Sequence, residues 1–575
     1  MWERLLRTVR VHVFFGLSGW TLAAGMLALL VAFPLLTIGV SLFDPVSDRW
    51  EHLVSTQLST YISNSVILVL GVGMFTLLVG VSTAWLVSAC DFPGRRFFEY
   101  ALVLPLALPT YLVAITYAGA FGFAGTLYGS VQSTFGNAAA VAIAGNIMSR
   151  EALIIVMGIV LYPYVYLISR ASFMQQSHSV LEVARLLGRS PGSTFLRVSV
   201  PLARPAIAAG LSLVLMEVLN DYGAAKYFGV PTFTTGIFRV WSSYDSPDAA
   251  VRLAGMLLLL VILIVLFERM QRGHARYDNS VSVFRPGVRY RLRGFRAAAA
   301  TVFALLVVTV GFFFPVGQLL YWAAGTPAEL VDGRFLRMVL NSFGLAAMAT
   351  VLCVLTAVIL VYTARLHRTW LVRTITKVSV MGYAVPGAVI AIGVLLVLSW
   401  LDSTLEPLLR KSFGLSIGFL VTGSVLTLLF AYLVRFIAVS FQSIESGFQS
   451  VAERMDESAR SLGAGGLRTL LRIDLPLIRG PLLAAGLLAF VDILKELPLT
   501  LMLRPFNFDT LATRAFELAQ DEMPALAAGP ALIIVAIGLL PVFLINSYFT
   551  RKWHHESAGT ETSVENVSER TSPRG

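Results

Sequence analysis

Glu182-Val-Ala-Arg-Leu-Leu-Gly188 returns 275 residues later as Glu457-Ser-Ala-Arg-Ser-Leu-Gly463. Each copy is followed by twelve residues and then Pro-Leu, at Pro201-Leu202 and Pro476-Leu477, with an arginine at 204 and 479. Moving outward, Pro109 matches Pro386 and Asn64-Ser65 matches Asn341-Ser342, now at a shift of 277. A shift constant to two residues over about 140 positions is an internal duplication, and such a period governs the architecture before any local propensity does.

The duplicated units are apolar. Hydrophobic residues make up 57% of the 575, charged residues only 13%, and the mean hydropathy is +0.76. Soluble domains carry roughly a quarter charged residues. This balance excludes a soluble protein, a disordered one and a nucleic-acid binder, despite a net charge of +11. Runs of about 20 apolar residues are long enough to cross a bilayer. They occur at roughly 20–43, 62–89, 98–122, 152–173, 205–228 and 250–267, then at 297–323, 339–363, 378–401, 416–441, 481–503 and 526–549. The first run is too long for a cleaved signal peptide and has no small-residue cleavage site before Asp44. Cys90 and Cys353 lie in apolar runs, as small core residues rather than as a disulfide or a zinc site.

Twelve spans with the N-terminus inside place 32 of the 44 Lys and Arg in inner segments. The reverse orientation would invert that bias, so both termini are expected in the cytoplasm. Two six-span units in the same orientation imply a pseudo-two-fold axis along the membrane normal. The fold expected is therefore all-α and integral to the membrane, twelve transmembrane helices as two parallel six-helix repeats. The chain divides into a cytoplasmic N-terminal segment 1–19, a first repeat 20–267, a basic linker 268–296 near anionic lipid, a second repeat 297–549, and a disordered tail 550–575. His554-His555 in that tail is incidental.

The duplicated motif falls in the longest inner loops, about 179–205 and 450–481. Ser179…Glu182 and Ser450…Glu453 have capping-box spacing and predict helix starts there. Gly188 and Gly463 are expected to end each helix in a sharp turn. Ala184 and Ala459 are small enough to admit a partner closely. A second amphipathic stretch then leads back into the membrane, so each loop is a knob projecting into the cytoplasm.

These loops resemble the EAA motif of ATP-binding-cassette importer permeases. Glu182, Ala184 and Gly188, and likewise Glu457, Ala459 and Gly463, match that motif's Glu, second Ala and Gly. Val183, Ser458 and Arg189 depart from it, which makes the two knobs unequal. The resemblance implies that these residues couple the chain to a separate ATPase, expected in two copies, one per loop. It also implies a periplasmic or lipid-anchored substrate-binding protein and a place in the bacterial inner membrane. Phe490–Glu522 and Glu217–Val230 resemble the fused, ferric-iron branch of the family. The branches for thiamine, phosphonate, sulfate and polyamine share much of this pattern. No G-x-x-x-x-G-K-[ST] is present, since none of the five lysines follows a glycine. The chain is thus expected to be a transport subunit without its own ATPase, cofactor or enzyme activity.

Within the spans, Glu217 and Asp221 are four residues apart, and so are Asp492 and Glu496, at a shift of 275. At i,i+4 each pair would share one helix face. Ionisable groups at this depth are candidates for a translocation path, and four carboxylates would suit a hard cation such as Fe³⁺. Alternatively they pair with Lys226, Lys495 or a nearby arginine and only fix helix packing. Pro105, Pro109 and Pro386 interrupt the third and ninth spans, where backbone often lines a cavity. Arg504-Pro505, Glu517, Asp521 and Glu522 fall in an outer loop, as contacts for a binding protein or as a solvated surface.

Two other classes carry different signatures. An ion-coupled secondary transporter predicts a G-x-x-x-D-R-x-G-R-R loop after the second span, of which Asp91-Phe-Pro-Gly-Arg-Arg96 is a fragment. A membrane enzyme would need clustered catalytic or metal-ligating residues, and the seven histidines are scattered.

Overall fold

The computed structural model describes residues 18–176, 188, 190–243, 247–272, 289–326, 333–413 and 422–542. Ten helices among them are long and apolar enough to cross a membrane, and two bent helix pairs bring the spans to twelve, six in each repeat. The bent pairs are the third span, Arg95–Ala107 with Thr110–Phe121 at 91°, and the eleventh, Gly466–Leu477 with Arg479–Leu494 at 81°.

The proline positions explain the first break. Proline lacks an amide hydrogen and pushes its predecessor out of helical geometry. Leu108, before Pro109, is extended at φ −96°, ψ 123°. Val385, before Pro386, repeats this at φ −87°, ψ 129°, after a 3₁₀ turn at Met381–Ala384. The ninth span accordingly begins at Gly387 rather than at 378. The tenth span continues past 441 to Gln449.

Each repeat is built on the same triangle. In the first, Leu58–Ala89 packs along Arg150–Gln175, and the fifth span, Pro191–Asn220, packs on both. In the second, Gly333–Leu366, Val425–Gln449 and Arg479–Leu494 repeat the arrangement. The duplicated Asn-Ser pairs fasten it. Asn64 Nδ2 donates to the Pro231 carbonyl at 3.0 Å and Ser65 Oγ accepts from the Phe233 amide. Asn341 donates to the Asp509 carbonyl at 3.2 Å and Ser342 accepts from the Leu511 amide.

The first span of each repeat crosses to the other one. Gly19–Ser41 packs against Gly333–Leu366, Trp370–Ser379 and Gly387–Phe413. Phe295–Gly325 packs against the third and fourth spans. Close approach depends on glycine: a Cβ on Gly393 would lie 2.4 Å from the Pro34 carbonyl, and one on Gly311 2.9 Å from Pro105. A two-residue parallel strand pairing, Cys90–Asp91 with Tyr290–Arg291, ties the end of the linker to the first repeat. The rest of the linker at 273–288, the tail 550–575 and most of the N-terminal segment lie outside the described residues.

Candidate functional site

The fifth and eleventh spans stop short. Helix ends at Asn220, and Asp221 is extended at φ −67°, ψ 123°. In the second repeat, helix ends at Leu494, just ahead of Glu496. The expectation that each carboxylate pair shares one continuous helix face is therefore corrected. Asp221 Oδ1 instead accepts from the amides of Ala224 and Ala225 at 2.9 and 3.2 Å, starting the short helix Gly223–Tyr227. Glu496 Oε1 accepts from the Leu499 amide at 3.1 Å at the start of Pro498–Leu503. A carboxylate that satisfies free amides at a helix start competes with continuation of the preceding helix.

The breaks bring all four carboxylates to one place. A cavity of about 120 Å³ between the repeats is lined by Glu217, Asp221, Asp492 and Glu496, together with Pro109, Pro386 and the cations Arg435 and Lys495. Three of the acids are held by the protein. Asp221 accepts from the Thr110 hydroxyl as well as its two amides. Asp492 pairs with Lys495 at 2.9 Å. Glu496 pairs with Arg435 at 3.5 Å. Glu217 makes no hydrogen bond or ion pair among the described residues and lines the open space. Lys226, considered as a partner, is exposed and lines a different pocket with Arg239 and Glu517.

Arg435 lies inside the tenth span and is 8% exposed. The sequence offered only a nearby arginine, without singling out this one. Among the described residues no three His, Cys, Asp or Glu side chains are grouped as a metal site would require. The carboxylates surround a space without forming a chelate.

Glu182 and Ala184 lie outside the described residues, whereas Gly188 is in the left-handed region at φ +73°. In the second loop, helix Glu453–Ser461 begins after Ala452, and no capping box forms at Ser450. Ser450 closes the tenth span instead, its hydroxyl donating to the Gly447 carbonyl at 2.7 Å. Gly463, at φ +81°, ends the loop helix. The Gly463 amide bonds the Arg460 carbonyl and the Ala464 amide the Ala459 carbonyl, the paired closure of a Schellman turn. Glu457 is exposed and Leu462 is 89% exposed. Ala459 is 5% exposed, so its small side chain serves the knob's own packing rather than a partner's direct approach. Arg365, at the end of the eighth span, binds Asp456 of the loop helix at 2.6 Å and the carbonyls of Phe448 and Val451. The knob is thereby fixed to two spans.

Arg504 forms ion pairs with Asp509 and Glu517, so neither Arg504 nor Glu517 is a free surface charge, while Asp521 and Glu522 are exposed.

Comparison with known proteins agrees with this two-fold build. The family described as binding-protein-dependent transport system inner membrane component matches twice, over residues 76–276 and 356–555. The Fe(3+)-transport system permease protein FbpB 2 of Haemophilus influenzae is 26% identical over 505 residues, 87% of this chain and 92% of that protein. A protein of Sinorhizobium fredii named as a probable ABC transporter permease, y4fN, is 22% identical over 93% of this chain and 95% of its own length. The sulfate transport system permease protein CysT of Escherichia coli is 25% identical over 97% of its length but only 45% of this chain.

Proposed function

This chain belongs to the family of binding-protein-dependent transport system inner membrane components, and we propose that it is the fused permease of a ferric-iron importer. A binding protein delivers Fe³⁺ from outside, the cavity between the repeats passes it, and a separate ATPase drives the cycle from the cytoplasm. One ATPase copy docks on each of the loops 179–205 and 450–481, and both termini are cytoplasmic. The units are repeats 20–267 and 297–549 joined by the basic linker.

The observation that carries the substrate class is the lining of the cavity, four carboxylates with two cations, of which Glu217 makes no ion pair among the described residues. Such a space attracts a cation and repels sulfate. A relative that spans both repeats is named an Fe(3+) permease, whereas a sulfate permease matches under half of the chain. For docking, the support is the Gly463 turn with Glu457 and Leu462 exposed beside it. The chain alone is expected to hydrolyse no ATP.

The test is uptake by proteoliposomes holding this chain, its ATPase and its binding protein. ATP-dependent accumulation of radiolabelled Fe³⁺, unaffected by sulfate and reduced in Glu217→Gln at equal assembly, is the expected result. ATP-dependent sulfate uptake without iron uptake would overturn the substrate.

A further inference from the structure

The two repeats differ at three matched positions around the cavity, and the differences fit one another. Thr110 in the first repeat corresponds to Gly387 in the second, Val160 to Arg435, and Asn220 to Lys495. In the first repeat the Thr110 hydroxyl donates to Asp221 of its own repeat. Gly387 has no side chain to offer Glu496, and the room it leaves is taken by a guanidinium. A Cβ on Gly387 would lie 2.2 Å from Arg435 Nη1 and 3.1 Å from Glu496 Oε1.

Arg435 uses that room in two directions. Nη2 pairs with Glu496 of its own repeat at 3.5 Å. Nη1 donates across the pseudo-two-fold axis to Asn220 Oδ1 at 3.1 Å. The same oxygen accepts from the Gly387 amide at 2.8 Å. Asn220 is the last helical residue of the fifth span, immediately before the break at Asp221. Two donors from the second repeat thus converge on one acceptor of the first, at the edge of the cavity. Lys495, the counterpart of Asn220, does not return the contact, because it is engaged by Asp492.

We propose that Arg435 is a positioning residue that latches the two repeats together across the translocation path, with Asn220 as its keeper. It acts by favouring the arrangement of the repeats in which this contact is made. Alternating access requires the repeats to move against each other, and a contact shifts such an equilibrium only if it is made in one state and broken in another. The bond from Arg435 to Asn220 is open to such breaking, since it joins elements of different repeats. The pair with Glu496 is not, since it lies within one repeat and moves with it. The latch is one-sided: the first repeat supplies only the acceptor.

This rests on the importer reading, and the assembled complex separates the two. The measurement is ATP hydrolysis by chain and ATPase in lipid, with and without the binding protein. Asn220→Leu removes the keeper and leaves Arg435 paired with Glu496. It is expected to raise hydrolysis without binding protein about tenfold, the scale of one lost charge-assisted hydrogen bond. Asn220→Asp faces the guanidinium with a carboxylate and is expected to lower that hydrolysis and slow uptake. A part that only held the fold together would not respond with opposite signs. If both variants change basal hydrolysis in the same direction, or neither changes it, the latch is overturned. If Asn220→Leu fails to assemble, Gly387→Ala carries the test, because the added methyl displaces Nη1 without removing any polar group. Basal hydrolysis in Gly387→Ala equal to that of the unaltered complex would then overturn it. An unaltered complex with no ATP-dependent uptake would instead reject the importer reading itself.

Discussion

At the scale of single residues, backbone sign and burial decide what can be replaced. Gly463 and Gly188 hold φ of +81° and +73°, where a side chain costs about 1–2 kcal/mol. Changing both to valine is expected to leave the spans inserted and abolish uptake while ATP hydrolysis continues. Normal uptake by the double variant at equal assembly would contradict a coupling role for these turns.

At the scale of elements, the break in the eleventh span separates two carboxylates that the sequence placed together. Asp492 stays in the helix and pairs with Lys495; Glu496 leaves it and starts the next one. Removing one member of a buried pair leaves an uncompensated charge, at a cost of about 3–5 kcal/mol. The pair here is partly exposed to the cavity, with side chains 27% and 29% exposed, so less than that is expected. Asp492→Asn should lower the yield of assembled protein, and Asp492→Asn with Lys495→Met should restore it. Restoration of assembly without uptake would show that the pair also serves passage; no loss in the single variant would show that it does not hold the span. Asp221→Asn keeps an oxygen for the two capping amides and should assemble normally. The break itself had a signature: Pro498 two residues after Glu496, and Asp221 three residues before the Ala224 amide, are helix-start signals. Hydropathy hid them, because the apolar run continues through both.

At the scale of the whole molecule, each repeat lends its first span to the other. Gly393→Val would press a side chain onto the Pro34 backbone, where even a Cβ comes within 2.4 Å. It is expected to reduce assembled protein sharply while Gly39→Val, with open space around it, does not. Equal yields from the two would mean that the crossing of the first span is not needed for assembly. Sequence alone determined the twelve spans, the duplication, the family resemblance and the identity of the four carboxylates. These are properties of periodicity, hydropathy and residue spacing, which act locally or repeat at a fixed interval. Of the partners it offered for those carboxylates, Lys495 holds Asp492 and an arginine holds Glu496, but Lys226 holds neither. Lys226 was a near neighbour in sequence and turned out to face another pocket, whereas Arg435 reaches Asn220 from 215 residues away. Only the tertiary structure decided that contact, because it depends on which repeat faces which across the axis and on the space left by one glycine at 387. A duplicated sequence predicts two equal halves; packing them around a single cavity is what makes the halves differ.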